Sequence, residues 1–455
     1  MSIGIFGGVI GLGTILQPRV DKVFCRFAKK LHTPPVQFVF MLSALQFALV
    51  AGISSVYSAT AFNQALATLS WGLGVSAVIL GGWVSGYTKR KPDWQSVLWF
   101  TMLTSVAFLL RGIRTSHIPI SMTGDEGNFG LWAYQMALGK PNNLFETGSY
   151  GFPTLYMFIQ SILIRFLGPT SQAIRLSSAL IGGFTVGCTY LFGKSLLNHR
   201  VGAFAGIFLA FFHFHIHFSR LGLNNIWDGF WFVLVFAAFW EGWLTRKKNA
   251  FILSGLGMGF SQYFYASARL LPFILLFWIS VLAFADRPRF RKQLLEIGVL
   301  FFAALIVVLP LGIYFFAHPS TYFDPMHQTN IFGIWSRGGH EGFTNFWSFL
   351  FAQLRLGFLA YTSAPVVFFY DPGIPILRAL PAFFFALGLF VLVGFHQNAK
   401  TWLFLLWLIV IALVGALSKP TPSAQRYIAA APGPGVDHRC RFGSSSGMER
   451  KNTSH

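Results

Sequence analysis

Residues 150–168, YGFPTLYMFIQSILIRFLG, are apolar enough to read as a membrane crossing, yet Pro153, Gln160 and Arg165 interrupt them. A crossing needs about 20 consecutive apolar residues, and counting this segment as one reverses the orientation of every helix that follows. Eleven other runs have about that length: 36–57, 65–86, 95–112, 173–193, 201–218, 226–244, 250–266, 270–285, 293–316, 377–395 and 401–417. Charge arbitrates, because cytoplasmic loops collect Lys and Arg. The basic clusters are 19–30, Lys89-Arg90-Lys91, Lys194 with Arg200, Arg246-Lys247-Lys248, and 287–292. All five fall on one side of the membrane only when 150–168 does not cross. The segment is therefore expected to be a juxtamembrane or re-entrant helix inside one long exoplasmic loop, 113–172.

Composition agrees with that scheme. Of 455 residues, 54% are hydrophobic, 18% aromatic and 11% charged, and the mean hydropathy is +0.59. The expected fold is an all-α polytopic membrane protein with about 11 transmembrane helices, juxtamembrane helices in its large first exoplasmic loop, and a second such loop at 317–376. The net charge of +20 does not point to nucleic acid, since the basic residues punctuate apolar runs instead of lining one soluble face. Cys25, Cys188 and Cys440 are too scattered for a disulfide framework or a metal knuckle.

The exoplasmic side collects the residues that need explaining. Asp125 and Glu126 sit side by side in SMTGDEGNFGLWAY (121–134), just beyond an apolar run. At the water interface a carboxylate serves as a general base or metal ligand, and Asp125 also reads as the N-cap of an amphipathic stretch over 127–138. Arg175, Arg220, Arg269 and Arg426 end apolar runs on the same side. Singly they are anchors that snorkel to the headgroups; together they are a cradle for an anionic phosphate. Arg269 and Arg426 are the expected phosphate contacts, Arg175 and Arg220 the structural ones. Tyr263 and Tyr265 are belt residues by position, with Tyr265 the candidate to line a donor site. Asp228, near the start of a membrane run, is costly unless paired and reads equally as a site residue or a helix cap. His213, His215 and His217 alternate at spacing two, which scatters them around a helix and speaks against a metal site. The loop with Asp324, His327, His340 and Glu341 is expected to cover the site, and 346–359 to lie on the membrane as an amphipathic helix.

The order of these motifs resembles the GT-C superfamily, and within it glycosyltransferase family 39, the protein O-mannosyltransferases and lipid A aminoarabinose transferases. The resemblance rests on Asp125-Glu126, GFPTLYMFIQ (151–160), AIRLSSALIGGFTVGCTYLFGKSL (173–196), HFSRLGLNNIWDGF (217–230), YFYASARLLPF (263–273) and PSAQRYIAAAP (422–432). It implies transfer of a sugar, with inversion, from a polyprenyl-phosphate donor on the exoplasmic face. Asp125 would then be the base or a metal ligand and Glu126 its support, with Mg²⁺ or Mn²⁺ compatible with the pair but not required. There are two departures. Asn225 stands five residues after Arg220 where relatives carry a carboxylate, leaving Asp228 to take over, and Gly151-Phe152 precede Pro153 where relatives place a basic residue.

The chain is expected to divide into a segment with two extra helices (1–94), a GT-C-like core (95–432) and a polar tail (433–455). The tail, GPGVDHRCRFGSSSGMERKNTSH, begins where the resemblance implies another membrane helix and reads as a frameshifted or truncated frame. The partners implied are membrane lipids, the lipid-linked donor and an acceptor not identified by sequence; the membrane implied is a bacterial plasma membrane. An O-antigen ligase or polymerase, and a transporter or flippase, are the competing classes. Against transport, charges gather at helix ends instead of at the bilayer midplane.

Overall fold

The computed structural model describes residues 35–433 except 59, 87–92, 141–142, 328, 340–341, 371 and 395–397. The tail beyond Gly433, the basic clusters at 19–30 and 89–91, and the candidate residues His340 and Glu341 lie outside the described residues. What is described is helical, with only isolated β-bridges.

Helices form where the apolar runs were read, with ends shifted by a few residues. The first group is α1 (Pro35–Val56), α2 (Ala61–Gly86), α3 (Trp94–Gly112), α4 (Gly124–Ala137), α5 (Leu155–Leu167), α6 (Ser171–Leu196), α7 (His199–Phe211) and α8 (His213–Ser219). The second is α9 (Ile226–Thr245), α10 (Lys248–Ser261), α11 (Leu271–Ala285), α12 (Arg287–Lys292) and α13 (Leu294–Ala317). The last is α14 (Pro319–His327), α15 (Ile331–Ser336), α16 (Phe346–Leu359), α17 (Ala379–Gly394) and α18 (Ala399–Ala416). By length and apolarity, six of these pass as membrane spans, or seven if α7 and α8 form one bent span. The other four expected spans, α3, α9, α10 and α17, are helices that fall short in length or hydropathy.

The deciding segment folds as α5, 13 residues long. At 1.5 Å per residue it extends about 20 Å, too short for a hydrocarbon core of about 30 Å. Gly168, at φ +75°, ends it, and the chain turns into α6 behind a Thr170 cap.

Helix α6 is the axis of the bundle, packed between α3, α7 and α9. Its glycines make that approach close. A Cβ on Gly187 would stand 2.2 Å from Thr104 Oγ1, and one on Gly193 would meet the Gly202 Cα at 3.0 Å. Small residues let helix backbones touch in this way.

The run expected at 201–218 is broken at Phe212, with α7 and α8 meeting at 60°. The break frees carbonyls at the end of α7, and Arg111 at the end of α3 satisfies them. It donates to the carbonyls of Leu209 and Ala210, both at 3.0 Å, and to His215 Nδ1 at 3.0 Å, while being fully buried. An arginine only donates, so His215 accepts there and is the Nε2–H tautomer. His213 and His217 point the other way, to the Tyr370 hydroxyl and the Phe369 carbonyl, each at 2.6 Å.

Candidate active site at the start of helix α4

The site is built on the N-terminus of α4. Thr123 is the cap. Its hydroxyl accepts from the Glu126 amide at 3.2 Å while the Glu126 carboxylate accepts from the Thr123 amide at 3.0 Å, which is a capping box. The capping role considered for Asp125 therefore belongs to Thr123 and Glu126, and Asp125 follows in the first turn.

Glu126 does more than cap. Its Oε1 accepts from Arg175 Nε and from the Gly222 amide, both at 2.8 Å, and Arg175 Nη2 reaches Oε2 at 3.4 Å. Arg175 spends its remaining donors on the carbonyls of Thr115, Pro119 and Ser121. Both side chains are at most 1% exposed. One buried ion pair thus ties α4 and α6 to the loop before α4 and the turn at Gly222. With its oxygens committed in this way, Glu126 does not offer a joint metal site with Asp125, and among the described residues no group of three His, Cys, Asp or Glu side chains gathers that could hold a metal.

Asp125 faces elsewhere. It is half-buried, and its carboxylate accepts a hydrogen bond from the Tyr150 hydroxyl. Burial raises its pKa above the ordinary aspartate value, and the Tyr150 bond opposes that rise. Tyr265, stacked on Phe152 at 5.5 Å, lies within electrostatic reach of Asp125, Asp228 and Arg426. Burial pushes the Tyr265 phenol up to about 12, Arg426 pulls it back, and the two carboxylates add to the rise. It is a neutral donor at any physiological pH.

Tyr265 is therefore the residue that Asp125, Asp228 and Arg426 share within electrostatic reach. Asp228, buried in the first turn of α9, accepts from Ser267 and so fixes the turn that carries Tyr265. Asn225 is 1% exposed, with its amide 3.5 Å from Gln425, and among the described residues its Oδ1 has no hydrogen-bond partner. Arg426 holds the carbonyls of Ser418, Lys419 and Pro420 through its Nη atoms and touches Tyr265. Arg220 closes the end of α3, donating to the carbonyls of Leu110, Arg111, Ile113 and Ile118. Arg269 donates to the Tyr322 carbonyl at 2.6 Å and lies 4.1 Å over the Tyr322 ring.

Sequence reading missed Tyr150, Asn128 and Glu146. Glu146 shares the loop with Tyr150, and burial raises its pKa. The only signal was the cluster Gly148-Ser149-Tyr150-Gly151, which marks a turn without saying which side chain it presents.

Residues 152–314 match the family "Dolichyl-phosphate-mannose-protein mannosyltransferase". In fold, the chain is similar to ArnT from Cupriavidus metallidurans bound to undecaprenyl phosphate, with 16% identity, a TM-score of 0.51, and coverage of 76% of this chain and 59% of that one. The apo state of ArnT gives 15% identity and a TM-score of 0.50 over 75% of this chain and 58% of that one. The Archaeoglobus fulgidus oligosaccharyltransferase in the apo form gives 14% identity and a TM-score of 0.50 over 76% of this chain and 50% of that one. The chain thus spans between half and three fifths of the length of these proteins. No curated protein matches its sequence. The family match over the middle of the chain and the fold match over three quarters of it agree with the motif order: the chain has the fold of these membrane proteins, and its residues 152–314 resemble the mannosyltransferase family.

Proposed function

We propose that the protein is an integral membrane glycosyltransferase that moves a sugar from a polyprenyl-phosphate donor to an acceptor hydroxyl on the exoplasmic face of a bacterial plasma membrane. The observation that carries this reading is the division of labour between adjacent carboxylates. Glu126 is consumed by the fold, and Asp125 is left half-buried with its pKa raised, which suits a general base. The family match and the fold likeness to ArnT, whose structure holds undecaprenyl phosphate, support the donor class. The ligase, polymerase and transporter readings are not favoured.

In this reading the acceptor oxygen attacks the sugar C1 while its proton passes to an Asp125 carboxylate oxygen. The C1–O bond to phosphate breaks on the opposite face, and its electron pair leaves on the phosphate. Tyr265, kept neutral, donates to that phosphate, and Arg426 behind it supplies positive charge. The unpartnered Asn225 Oδ1 is left to a substrate hydroxyl, since a buried polar atom without a partner calls for one.

The test is transfer of radiolabelled sugar from a panel of undecaprenyl- and dolichyl-phosphate sugars in membranes containing the chain or Asp125→Asn. Transfer that falls by about 10² to 10⁴ in the variant is expected. Transfer that survives the substitution refutes the base assignment.

A further inference from the structure

The Tyr150 backbone is in the left-handed region, at φ 56° and ψ 23°. A non-glycine residue enters that region at a cost, and a bulky one seldom does so without a compensating interaction. Here the turn between Gly148 and Phe152 throws the ring across the start of α4, edge-on to Phe129 at 5.9 Å. The hydroxyl then meets two side chains of that helix. Asn128 Nδ2 is 2.5 Å away, and the Asp125 carboxylate is its second partner.

Proton counting fixes the directions. An ionised carboxylate only accepts, so the single phenolic hydrogen goes to Asp125. Asn128 must then present its NH₂ to the phenol oxygen. The amide thus occupies the acceptor side of the hydroxyl and leaves the hydrogen no other target. Asn128 is three residues after Asp125, on the same helical face, so the hydroxyl and its two partners form an open triangle at the first turn of α4.

We propose that Tyr150, oriented by Asn128, is the positioning residue of the Asp125 carboxylate, holding one of its oxygens and leaving the other for an acceptor hydroxyl. The catalytic meaning rests on Asp125 being the base, while the triangle does not. The other ionisable groups facing Asp125 are Tyr265 and, beyond it, Asp228 and Arg426. Glu126, its neighbour in sequence, is turned away into its pair with Arg175. The strained turn is thus tied to function: it delivers a hydroxyl from outside α4 to the first turn of that helix.

The experiment titrates Asp125 directly. The purified full chain is treated with a water-soluble carbodiimide and an amine across a pH series, and Asp125 labelling is followed by peptide mass spectrometry. Carbodiimide reacts with the protonated carboxyl, so the profile reports its titration without turnover. Tyr150→Phe removes a donor to the charged form, so the labelling midpoint is expected to move to higher pH, with Asn128→Ala moving it in the same direction by less. Transfer by Tyr150→Phe is expected to fall about tenfold, the scale of one hydrogen bond to a charged group, with KM for the donor unchanged. An unmoved midpoint in Tyr150→Phe overturns the proposal whatever happens to transfer. Full transfer by Asp125→Asn, with the midpoint shift present in Tyr150→Phe, overturns the base assignment and leaves the triangle standing.

Discussion

Exchanging each of the two adjacent carboxylates for its amide should give opposite phenotypes. Glu126→Gln keeps shape and removes charge at a side chain with no exposure. Four donors point at that carboxylate: Arg175 Nε and the Gly222 amide at 2.8 Å, the Thr123 amide at 3.0 Å, and Arg175 Nη2 at 3.4 Å. A glutamine can place only one oxygen there, so its NH₂ faces a donor. Arg175 then keeps a buried charge with no anion to balance it, only neutral oxygens such as the carbonyls of Thr115, Pro119 and Ser121. Removing one partner of a buried pair costs about 3–5 kcal/mol, a large share of a typical total of about 5–15 kcal/mol. Asp125→Asn, half-exposed and outside that network, should cost no more than about 0.5 kcal/mol. The assay is thermal unfolding of detergent-purified protein, read as the fraction still monodisperse by size-exclusion chromatography after heating. Glu126→Gln should aggregate at much lower temperature, and Arg175→Met in the Glu126→Gln background should recover part of the loss, because the uncompensated charge is gone. Equal stability of Glu126→Gln and Asp125→Asn, or a double variant no better than the single, would refute the assignment of Glu126 to the fold.

Arg111→Met should destabilise the bundle by at least about 1–3 kcal/mol, since it orphans the buried Ala210 carbonyl while that of Leu209 keeps the Phe212 amide; thermal unfolding checks it. Gly255→Ala should fail similarly, because its Cβ would lie 2.1 Å from the Leu300 carbonyl oxygen where α10 meets α13, whereas Gly298→Ala, with nothing within 4 Å, should be harmless. Transfer should be lost on the acid side as pH falls through the raised pKa of Asp125, above the ordinary aspartate value of about 3.9; a pH–rate profile tests it. The same raised pKa favours the protonated form in the fold. Asp125 therefore contributes stability below its unfolded pKa and loses it as pH rises through the folded one.

The helices were legible because apolar runs and basic clusters are local, additive signals, and α5 was legible as a short helix because Pro153, Gln160 and Arg165 interrupt it. The break at Phe212 was not. FFHFHIHFS (211–219) has neither proline nor glycine, and the bend depends on Arg111, about a hundred residues earlier, taking up the freed carbonyls. The capping box T-G-D-E was readable by spacing, yet the adjacent acids drew attention to Asp125 instead of Thr123. Tyr150 was not readable at all. A tyrosine in left-handed conformation has no sequence signature, and its partner Asp125 is 25 positions away.

The arginines show why a phosphate cradle is hard to read from sequence. A guanidinium offers five donors in a fixed fork, which suit phosphate oxygens and suit equally the carbonyls that end a helix or line a turn. Both uses place an arginine at the end of an apolar run. What separates them is the local supply of orphan carbonyls. Arg220 sits over the last turn of α3, Arg175 over the loop 115–121, and Arg426 over the turn at 418–420, so these three first complete the backbone. Arg426 differs because its charge also reaches Tyr265, and through that hydroxyl it can act on an anion without leaving its carbonyls. Arg269 differs because one Nη holds the Tyr322 carbonyl while the plane rests on the Tyr322 ring, an arrangement that spends few of its donors. For the proposed reaction, positive charge at this site is therefore delivered mostly through fixed intermediaries, which would keep it in place as a charged donor enters and leaves.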